Sequence, residues 1–295
     1  MRAGSRTIQV SNLDKIFYPD VGSTKGDMLD YYKRVASVMV PHLRARPLTL
    51  KRYPDGVDGQ FFYEKNCPSH APDWVKTVPI RRRDGKVINY CMVNDVASLL
   101  WAANLGSLEL HVSLAKAGKL GRPTAMVFDL DPDPDEGVLA AAEIALEIRK
   151  RLARVDLESF VKTSGSKGLQ LYVPLNTSVT FQGTGGFARA LARTLEDEMP
   201  DRVVSKMKKE LRTGKVFIDW SQNDDHKTTV AVYSLRARPA PTVSTPLKWT
   251  EVQKALRADD ADKLRFTSEQ VLKRIDRDGD LFEPVRKMKQ KLPKL

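Results

Sequence analysis

Acidic side chains are densest in the run T-A-M-V-F-D-L-D-P-D-P-D-E-G, residues 124–137. Its apolar half has strand length, and strand side chains alternate faces. Asp129 and Asp131 therefore point the same way, roughly 6.6 Å apart along the chain, with Met126, Phe128 and Leu130 on the opposite face and Val127 on the carboxylates' side. Pro132 is expected to end the hydrogen-bond ladder and leave both acids at the strand's C-terminal end, where ligands of α/β sheets commonly bind. A second run, G-K-V-F-I-D-W, brings Asp219 to the end of another apolar strand. If the two strands are neighbours, three carboxylates meet, and two unit charges 5 Å apart repel by about 3 kcal/mol at an effective dielectric near 20. Such a cluster calls for a cation. Hard oxygen ligands without a nearby His/Cys set favour Mg²⁺ or Mn²⁺, and two such ions sharing carboxylates serve phosphoryl or nucleotidyl transfer.

Other readings of these acids stay open. Asp-Pro pairs also make turns and caps. A D-x-D after a strand also occurs in haloacid-dehalogenase-type phosphohydrolases and metal-dependent glycosyltransferases. The former usually have Thr or Val two residues after the second acid, where this chain has Asp133.

Phosphate chemistry is written in F-V-K-T-S-G-S-K-G-L, residues 160–169. Glycines let backbone N–H groups turn inward as an anion nest, the serines add hydroxyls, and Lys167 adds charge. The spacing is not that of a Walker A loop, and an ordinary Gly/Ser hairpin reads similarly. Further on, Y-S-L-R-A-R places Arg236 and Arg238 on one face if the strand through Tyr233 continues, as a phosphate clamp or as a surface pair.

The elements that must position these groups follow from periodicity. A capping box at Thr24-Lys-Gly-Asp27 opens an amphipathic helix carrying Met28, Tyr32, Val35 and Met39, expected to end before Pro41. A second helix should run from Asp135 or Glu136 to about Ala153, and a third from Gly186 to Met199. Strands are expected at Phe61–Tyr63, Val87–Cys91, Leu108–Val112, Thr124–Asp131, Phe160–Thr163, Leu169–Val173, Val216–Trp220 and Thr228–Tyr233. Strands and helices do not strictly alternate, so the fold is α+β or mixed α/β. Residues 237–246 read as an extended connection, and Trp249 onward as short helices ending in a solvated basic tail, VRKMKQKLPKL.

Composition narrows the class of protein. With 49 Lys+Arg against 37 Asp+Glu, the 295-residue chain carries a net charge of +12, which favours a polyanionic partner. An apolar fraction of 41% suits a folded core and excludes disorder as the main state. No stretch is apolar enough for a membrane span and no export signal opens the chain, so a cytoplasmic location is expected. Cys67 and Cys91 are too few for a disulfide framework or a four-cysteine zinc site, and no thiol chemistry is expected.

Taken in order, M-V-F-D-L-D-P, T-S-G-S-K-G-L, K-V-F-I-D-W-S-Q-N and Y-S-L-R-A-R with T-V-S-T-P-L-K-W resemble the polymerase domain of bacterial DNA ligase D, a member of the archaeo-eukaryotic primase superfamily. N-L-D-K-I-F-Y-P, S-T-K-G-D-M-L-D-Y-Y, K-R-Y-P-D-G-V-D, F-F-Y-E-K and L-E-L-H-V extend the resemblance over nearly the whole chain and point to an actinobacterial version. It implies one domain over 1–295: a DNA-end-binding portion at 1–80, a primase-like catalytic core of mixed sheets flanked by helices at 81–250, and a helical tail at 251–295. The N-terminal portion would be an α/β extension packed on that core.

Residue by residue, the resemblance makes Asp129, Asp131 and Asp219 the ligands of divalent ions, Mn²⁺ favoured, for attack of a primer 3′-OH on an α-phosphate. Ser164 and Lys167 match the nucleotide loop, Arg236 a phosphate contact, and His111 a histidine near the nucleotide sugar, in keeping with preference for rNTPs over dNTPs. Asn12, Lys15, Lys25 and Arg52 match a pocket for the 5′-phosphate across a gap or break. Phe62 and Tyr63 match residues that stack on template bases, with Lys65 beside them; by their chemistry alone both aromatics would be placed in a core.

One position departs from the pattern. Gln170 stands where the family usually has histidine in its nucleotide-binding motif, and glutamine cannot become cationic. Altered nucleotide affinity or rate is expected there, with metal binding kept. The function implied is metal-dependent nucleotide addition at gaps and broken ends in non-homologous end joining, near the bacterial nucleoid. Ku and a DNA ligase are the implied protein partners, since no lysine-centred ligase motif occurs in the chain. The rival readings are a catalytically weakened module that binds 5′-phosphorylated DNA ends, and a two-metal nuclease or phosphohydrolase.

Overall fold

The computed structural model describes residues 1–82 and 84–293. In chain order it runs β1 (Arg2–Ala3), β2 (Arg6–Thr7), β3 (Ile16–Tyr18), β4 (Ser23–Thr24), α1 (Lys25–Leu43), β5 (Leu48–Arg52), β6 (Phe62–Glu64), β7 (Thr77–Arg81), β8 (Val87–Cys91), α2 (Val96–Asn104) and β9 (Ser107–Val112). There follow β10 (Ala125–Pro132), α3 (Gly137–Ala153), β11 (Phe160–Thr163), β12 (Leu169–Pro174), α4 (Phe181–Glu198), β13 (Val203–Val204) and β14 (Val216–Asp219). The chain closes with β15 (Thr229–Val230), β16 (Pro246–Leu247), α5 (Trp249–Arg257), α6 (Ser268–Asp278) and α7 (Glu283–Lys287). This is the mixed α/β class that the sequence predicts.

Two compact units interleave along the chain. Unit one comprises residues 1–118, 228–243 and 267–279; unit two comprises 119–227, 244–266 and 280 onward. These bounds do not follow the consecutive portions 1–80, 81–250 and 251–295.

Unit two is built on a sheet of order β13-β14-β10-β12-β11-β16, antiparallel except for β13 on β14. Period-two alternation gives this sheet one apolar face. Phe128 and Leu130 of β10, Leu169 and Leu171 of β12, and Ile218 of β14 pack there against Ala141, Ala145 and Ile148 of α3 and Ala188, Ala192 and Leu195 of α4. Asp129 and Asp131 lie on the sheet's other face, with Val127, Tyr172 and Phe217.

Unit one carries a second antiparallel sheet, β15-β9-β5-β6. The capping box of α1 forms as expected, with Thr24 accepting from the Asp27 N–H and Asp27 accepting from the Thr24 N–H. Helix α1 buries Met28, Tyr32, Val35 and Met39, and the Tyr32 hydroxyl donates to the Leu108 carbonyl at 2.6 Å.

Several local expectations are corrected. Helix α1 runs through Pro41 to Leu43: a proline in the last turn removes one N–H donor, and the Arg44 N–H still closes onto the Val40 carbonyl. Helix α4 starts at Phe181 on a Thr180 cap, ahead of its glycines. Strand β10 keeps pairing through Pro132, opposite Val216, and the Asp133 N–H extends the ladder to the Lys215 carbonyl. Strand β15 stops at Val230, and Tyr233 adopts φ 67°, so Arg236 and Arg238 do not ride on a continued strand.

Cys67 and Cys91 form a disulfide. The Cys67 N–H donates to the Asn89 carbonyl, which lays the chain ahead of the β7–β8 hairpin beside β8 and brings the two Cα atoms to 5.0 Å. The basic tail is helical only in α7 and is not a free solvated helix. Gln290 docks on unit two through its N–H to the Leu175 carbonyl and its amide to the Pro174 and Glu158 carbonyls, and Leu292 packs on the core. The last two residues of that tail lie outside the described residues.

Candidate active site

The sheet register of unit two sets four polar residues side by side. Asp129 of β10 is paired with Asp219 of β14 on one flank and with Gln170 of β12 on the other, and Gln170 is paired with Lys162 of β11. Directly opposed side chains share a face with Cβ atoms about 5 Å apart, so Asp219, Asp129, Gln170 and Lys162 form one row across the sheet. Asp131, two residues beyond Asp129, extends from the same face toward solvent. The adjacency of the two acidic strands, conditional in the sequence, is present.

Asp129 is half-buried and Asp219 buried. Burial, then the charge of Asp131, then that of Asp219 push the Asp129 carboxyl up to about 7, against a hydrogen bond from Gln170 and the charge of Lys162. Lys162 is fully buried and donates to Gln170 Oε1 at 2.7 Å and to Ser244 Oγ at 2.6 Å. With its oxygen turned to Lys162, the Gln170 amide nitrogen faces Asp129. Gln170 is thus engaged at both ends within the row.

Asp219 is held from below by the motif that follows it. Its Oδ1 accepts from the Ser221 N–H at 3.0 Å and from Ser221 Oγ at 2.5 Å, and its Oδ2 accepts from Gln222 Nε2 at 2.7 Å. Lys227 Nζ donates in turn to Ser221 Oγ. Asn223 completes the ladder where β14 has turned away: its Oδ1 accepts from the Val127 N–H and its Nδ2 donates to the Val127 carbonyl. So engaged, Asp219 does not close a ligand cage in the present side-chain arrangement. Among the described residues no three His, Cys, Asp or Glu side chains surround a common point. The donor set itself suits a hard divalent cation: all oxygen, with more negative charge than neighbouring lysine offsets.

The glycine loop lies against the end of β10. A Cβ on Gly168 would meet the Leu130 carbonyl oxygen at 1.9 Å, so only glycine lets the loop approach so closely. Gly165 takes φ 71° at the turn. Ser164 is buried, and its hydroxyl oxygen accepts the Ser166 and Gly168 N–H groups. It orders the loop, while Lys167 stands exposed at its tip.

The other expected site residues belong to unit one. Glu109 and His111 sit two apart on β9, on one face; Lys51 of β5 pairs with Glu109, and Tyr63 of β6 pairs with Lys51. The buried Glu109 carboxylate accepts from His111 Nε2 at 3.0 Å and the Ala237 N–H at 3.1 Å, and forms ion pairs with Arg236, 3.3 Å at Nε, and Lys51, 3.7 Å at Nζ. Burial alone would raise this carboxyl, but the His111 hydrogen bond and the Arg236 charge outweigh it and hold it well below the usual range.

Lys25, the first residue of α1, is buried; burial, then the charges of Lys15 and Arg52, lower the pKa of its ammonium. Lys15 pairs with Asp55 at 2.5 Å, and its N–H closes onto the carbonyl of Asn12, whose φ is 54°. Arg52 pairs with Glu64 at 2.9 Å and covers the Phe62 ring. Phe61, Phe62 and Tyr63 are exposed rather than in a core, and Lys51 Nζ lies 4.3 Å from the centre of the Phe61 ring. Lys65 is exposed beside them.

Sequence reasoning passed over Lys162, Ser244, Ser221, Gln222, Glu109 and Lys51. Lys162 and Glu109 did carry a signal, each being a lone charge inside an apolar strand.

A mixed sheet with paired acidic strands, a glycine loop against their ends and a basic, aromatic-bearing second unit defines a protein of the primase-polymerase type. Residues 24–282 match the family model of the LigD primase-polymerase domain, and the chain belongs to that family. It is 44% identical over 281 residues to the multifunctional non-homologous end joining protein LigD of Mycolicibacterium smegmatis, covering 94% of this chain and 36% of that protein. With the bifunctional LigD of Bacillus subtilis it shares 33% identity over 276 residues, 93% of this chain and 43% of the relative. It spans less than half the length of these relatives. The solved polymerase domain of Mycobacterium tuberculosis ligase D in complex with DNA aligns with a TM-score of 0.87 at 42% identity, over 96% of this chain and 99% of that one.

Proposed function

We propose that the chain is a divalent-metal-dependent, DNA-directed nucleotidyltransferase that adds nucleotides, ribonucleotides by preference, across short gaps and at broken ends in non-homologous end joining. The observation that carries this reading is the pairing of Asp129 with Asp219, with Asp131 on the same face, in a chain of the LigD polymerase family. Asp129, Asp131 and Asp219 would hold Mn²⁺ or Mg²⁺, two ions being suited to three carboxylates. When bound, the metal lowers the pKa of a primer hydroxyl and offsets charge developing on phosphate. Ser221 and Gln222 keep Asp219 aimed, Gln170 and Lys162 support Asp129 from the other flank, and Lys167 supplies charge to a triphosphate. In unit one, Arg236 offers a phosphate contact, while Lys15, Lys25 and Arg52 with Asn12 form a positive cluster suited to a 5′-phosphate. Phe62 and Tyr63, with Lys65 nearby, present ring faces on which template bases can stack. The solved relative bound to DNA supports this assignment of partner. A ligase and Ku are the proposed protein partners in joining.

The test is Mn²⁺-dependent addition of an rNTP to a 5′-phosphorylated gapped duplex. Wild type is expected to extend the primer, and Asp129→Ala to lose about 10³-fold or more of the rate. A wild type that shortens the DNA is a nuclease, and one that binds in a salt-dependent way without extending is a binding module; either result overturns the reading. Lys15→Ala with Lys25→Ala is expected to weaken 5′-phosphorylated ends more than unphosphorylated ones.

A further inference from the structure

Glu109 is one of the most thoroughly engaged side chains in unit one, and it touches His111 directly. Each of its partners is a donor: imidazole Nε2, the Ala237 amide, the Arg236 guanidinium and the Lys51 ammonium. An ionised carboxylate can only accept, so the 3.0 Å contact requires a hydrogen on His111 Nε2. Burial lowers the pKa of the ring, Glu109 opposes this, and the nearby charges of Arg236 and Lys51 reinforce it; the net shift is downward from 6.5. A neutral ring protonated at Nε2 carries its lone pair on Nδ1. Among the described residues no hydrogen bond reaches Nδ1, and the side chain keeps 15% of its surface exposed. The ring is braced by the edge of Tyr63, 6.1 Å between centroids.

We infer that Glu109 is a positioning residue that fixes His111 as a hydrogen-bond acceptor at Nδ1, so that the ligand group recognised there must be a donor. This rests on the proposed ribonucleotide addition and on the family resemblance that sets His111 near a nucleotide sugar; the group would then be the sugar 2′-hydroxyl, recognised by its hydrogen. A sugar with hydrogen at that position leaves Nδ1 without a partner, and so does one with fluorine, which matches a hydroxyl in size and cannot donate. Substituting Glu109 by glutamine keeps the shape and removes the constraint, because a glutamine amide can also donate to Nε2 and place the hydrogen on Nδ1.

The experiment has two arms on the full chain. Imidazole ¹⁵N–¹H correlation spectra of wild type at neutral pH are expected to show His111 protonated at Nε2 with a bare Nδ1; an Nδ1–H signal overturns the inference without any variant. Primer extension then compares an rNTP, a 2′-fluoro analogue and a dNTP. Wild type is expected to favour the rNTP about tenfold over both others. Glu109→Gln is expected to narrow the gap between rNTP and 2′-fluoro analogue, with its circular dichroism spectrum and thermal unfolding as the check of folding. Wild type using the fluoro analogue as well as the rNTP, or Glu109→Gln keeping the full tenfold gap, overturns the inference. Wild type indifferent to rNTP and dNTP, with the Nε2–H spectrum intact, overturns the sugar reading itself and with it the selectivity step.

Discussion

The two units each lay a row of polar side chains across their strands, and the rows are electrostatic opposites. In unit two, Asp219 stands directly beside Asp129 with Asp131 two residues on, and the buried Lys162 is kept one strand away behind Gln170. In unit one, the lone Glu109 has Lys51 opposite it, His111 two residues on and Arg236 against its oxygens. Burial penalises both carboxylates, so the neighbours decide the sign: Asp129 is pushed up to about 7 and Glu109 is held well down. The first row carries more negative charge than Lys162 offsets and is suited to receive positive charge from outside. The second is neutralised from within and is suited to hold its own groups still.

Removing the carboxylate should therefore have opposite consequences in the two rows. Glu109→Leu leaves Lys51 and Arg236 with uncompensated charge and is expected to cost about 3 kcal/mol of stability in urea denaturation. Glu109 binds its proton more weakly folded than unfolded, so its contribution is complete above its ordinary 4.5 and is lost as pH falls below that. The difference between wild type and variant should shrink in acid. An unchanged denaturation midpoint at pH 7 would break the comparison.

Metal should act only on the other row. Mn²⁺ at a hundred times its dissociation constant stabilises whatever binds it by about 2.7 kcal/mol. Thermal unfolding of wild type is expected to shift upward by that amount, and Asp129→Asn to lose most of the shift. A shift retained in that variant would place the ion elsewhere.

In chelator the same Asp129→Asn change should stabilise the chain, by about 1–2 kcal/mol. Folded Asp129 holds its proton up to about 7 against an ordinary 3.8, so the cost of ionising it is absent below 3.8, grows between the two values and is complete above 7. The gain of the variant should follow that rise with pH, the reverse of the Glu109 pattern. Equal stabilities at pH 8 would mean that the paired acids do not strain the fold.

How much of this was legible depended on range. Alternation in residues 124–131 and the Thr24–Asp27 box are local patterns, and both elements formed there, each running on through the proline expected to stop it. The facing of Asp129 and Asp131 was legible for the same reason. Partners were not, because register is set by packing between distant segments: nothing in F-V-K-T says that Lys162 will lie opposite Gln170, nor in L-E-L-H-V that Lys51 will face Glu109. Helix α2 escaped because it is buried nearly all round and shows no polar face to set a period. Nothing in S-Q-N at residues 221–223 says that Ser221 and Gln222 will hold the Asp219 carboxylate, or that the Asn223 side chain will replace the ladder β14 abandons at Asp219. The disulfide was invisible because two cysteines 24 residues apart carry no pairing signal of their own.

The smallest effect asks which neighbour charges Asp129 most. Asp131 shares its strand and Asp219 faces it across the ladder, and of the two it is Asp131 that contributes more to lifting the Asp129 carboxyl. Asp219 is already satisfied by Ser221 and Gln222, donors that draw its charge away from the row. Asp131→Asn is an exposed change and should alter stability by less than about 0.5 kcal/mol, yet it should bring the Asp129 titration down further than Asp219→Asn does. Carboxyl ¹³C shifts followed from pH 3 to 9 in chelator read both variants directly. A larger fall with Asp219→Asn would mean that cross-strand register, more than spacing along β10, concentrates the negative charge of this row.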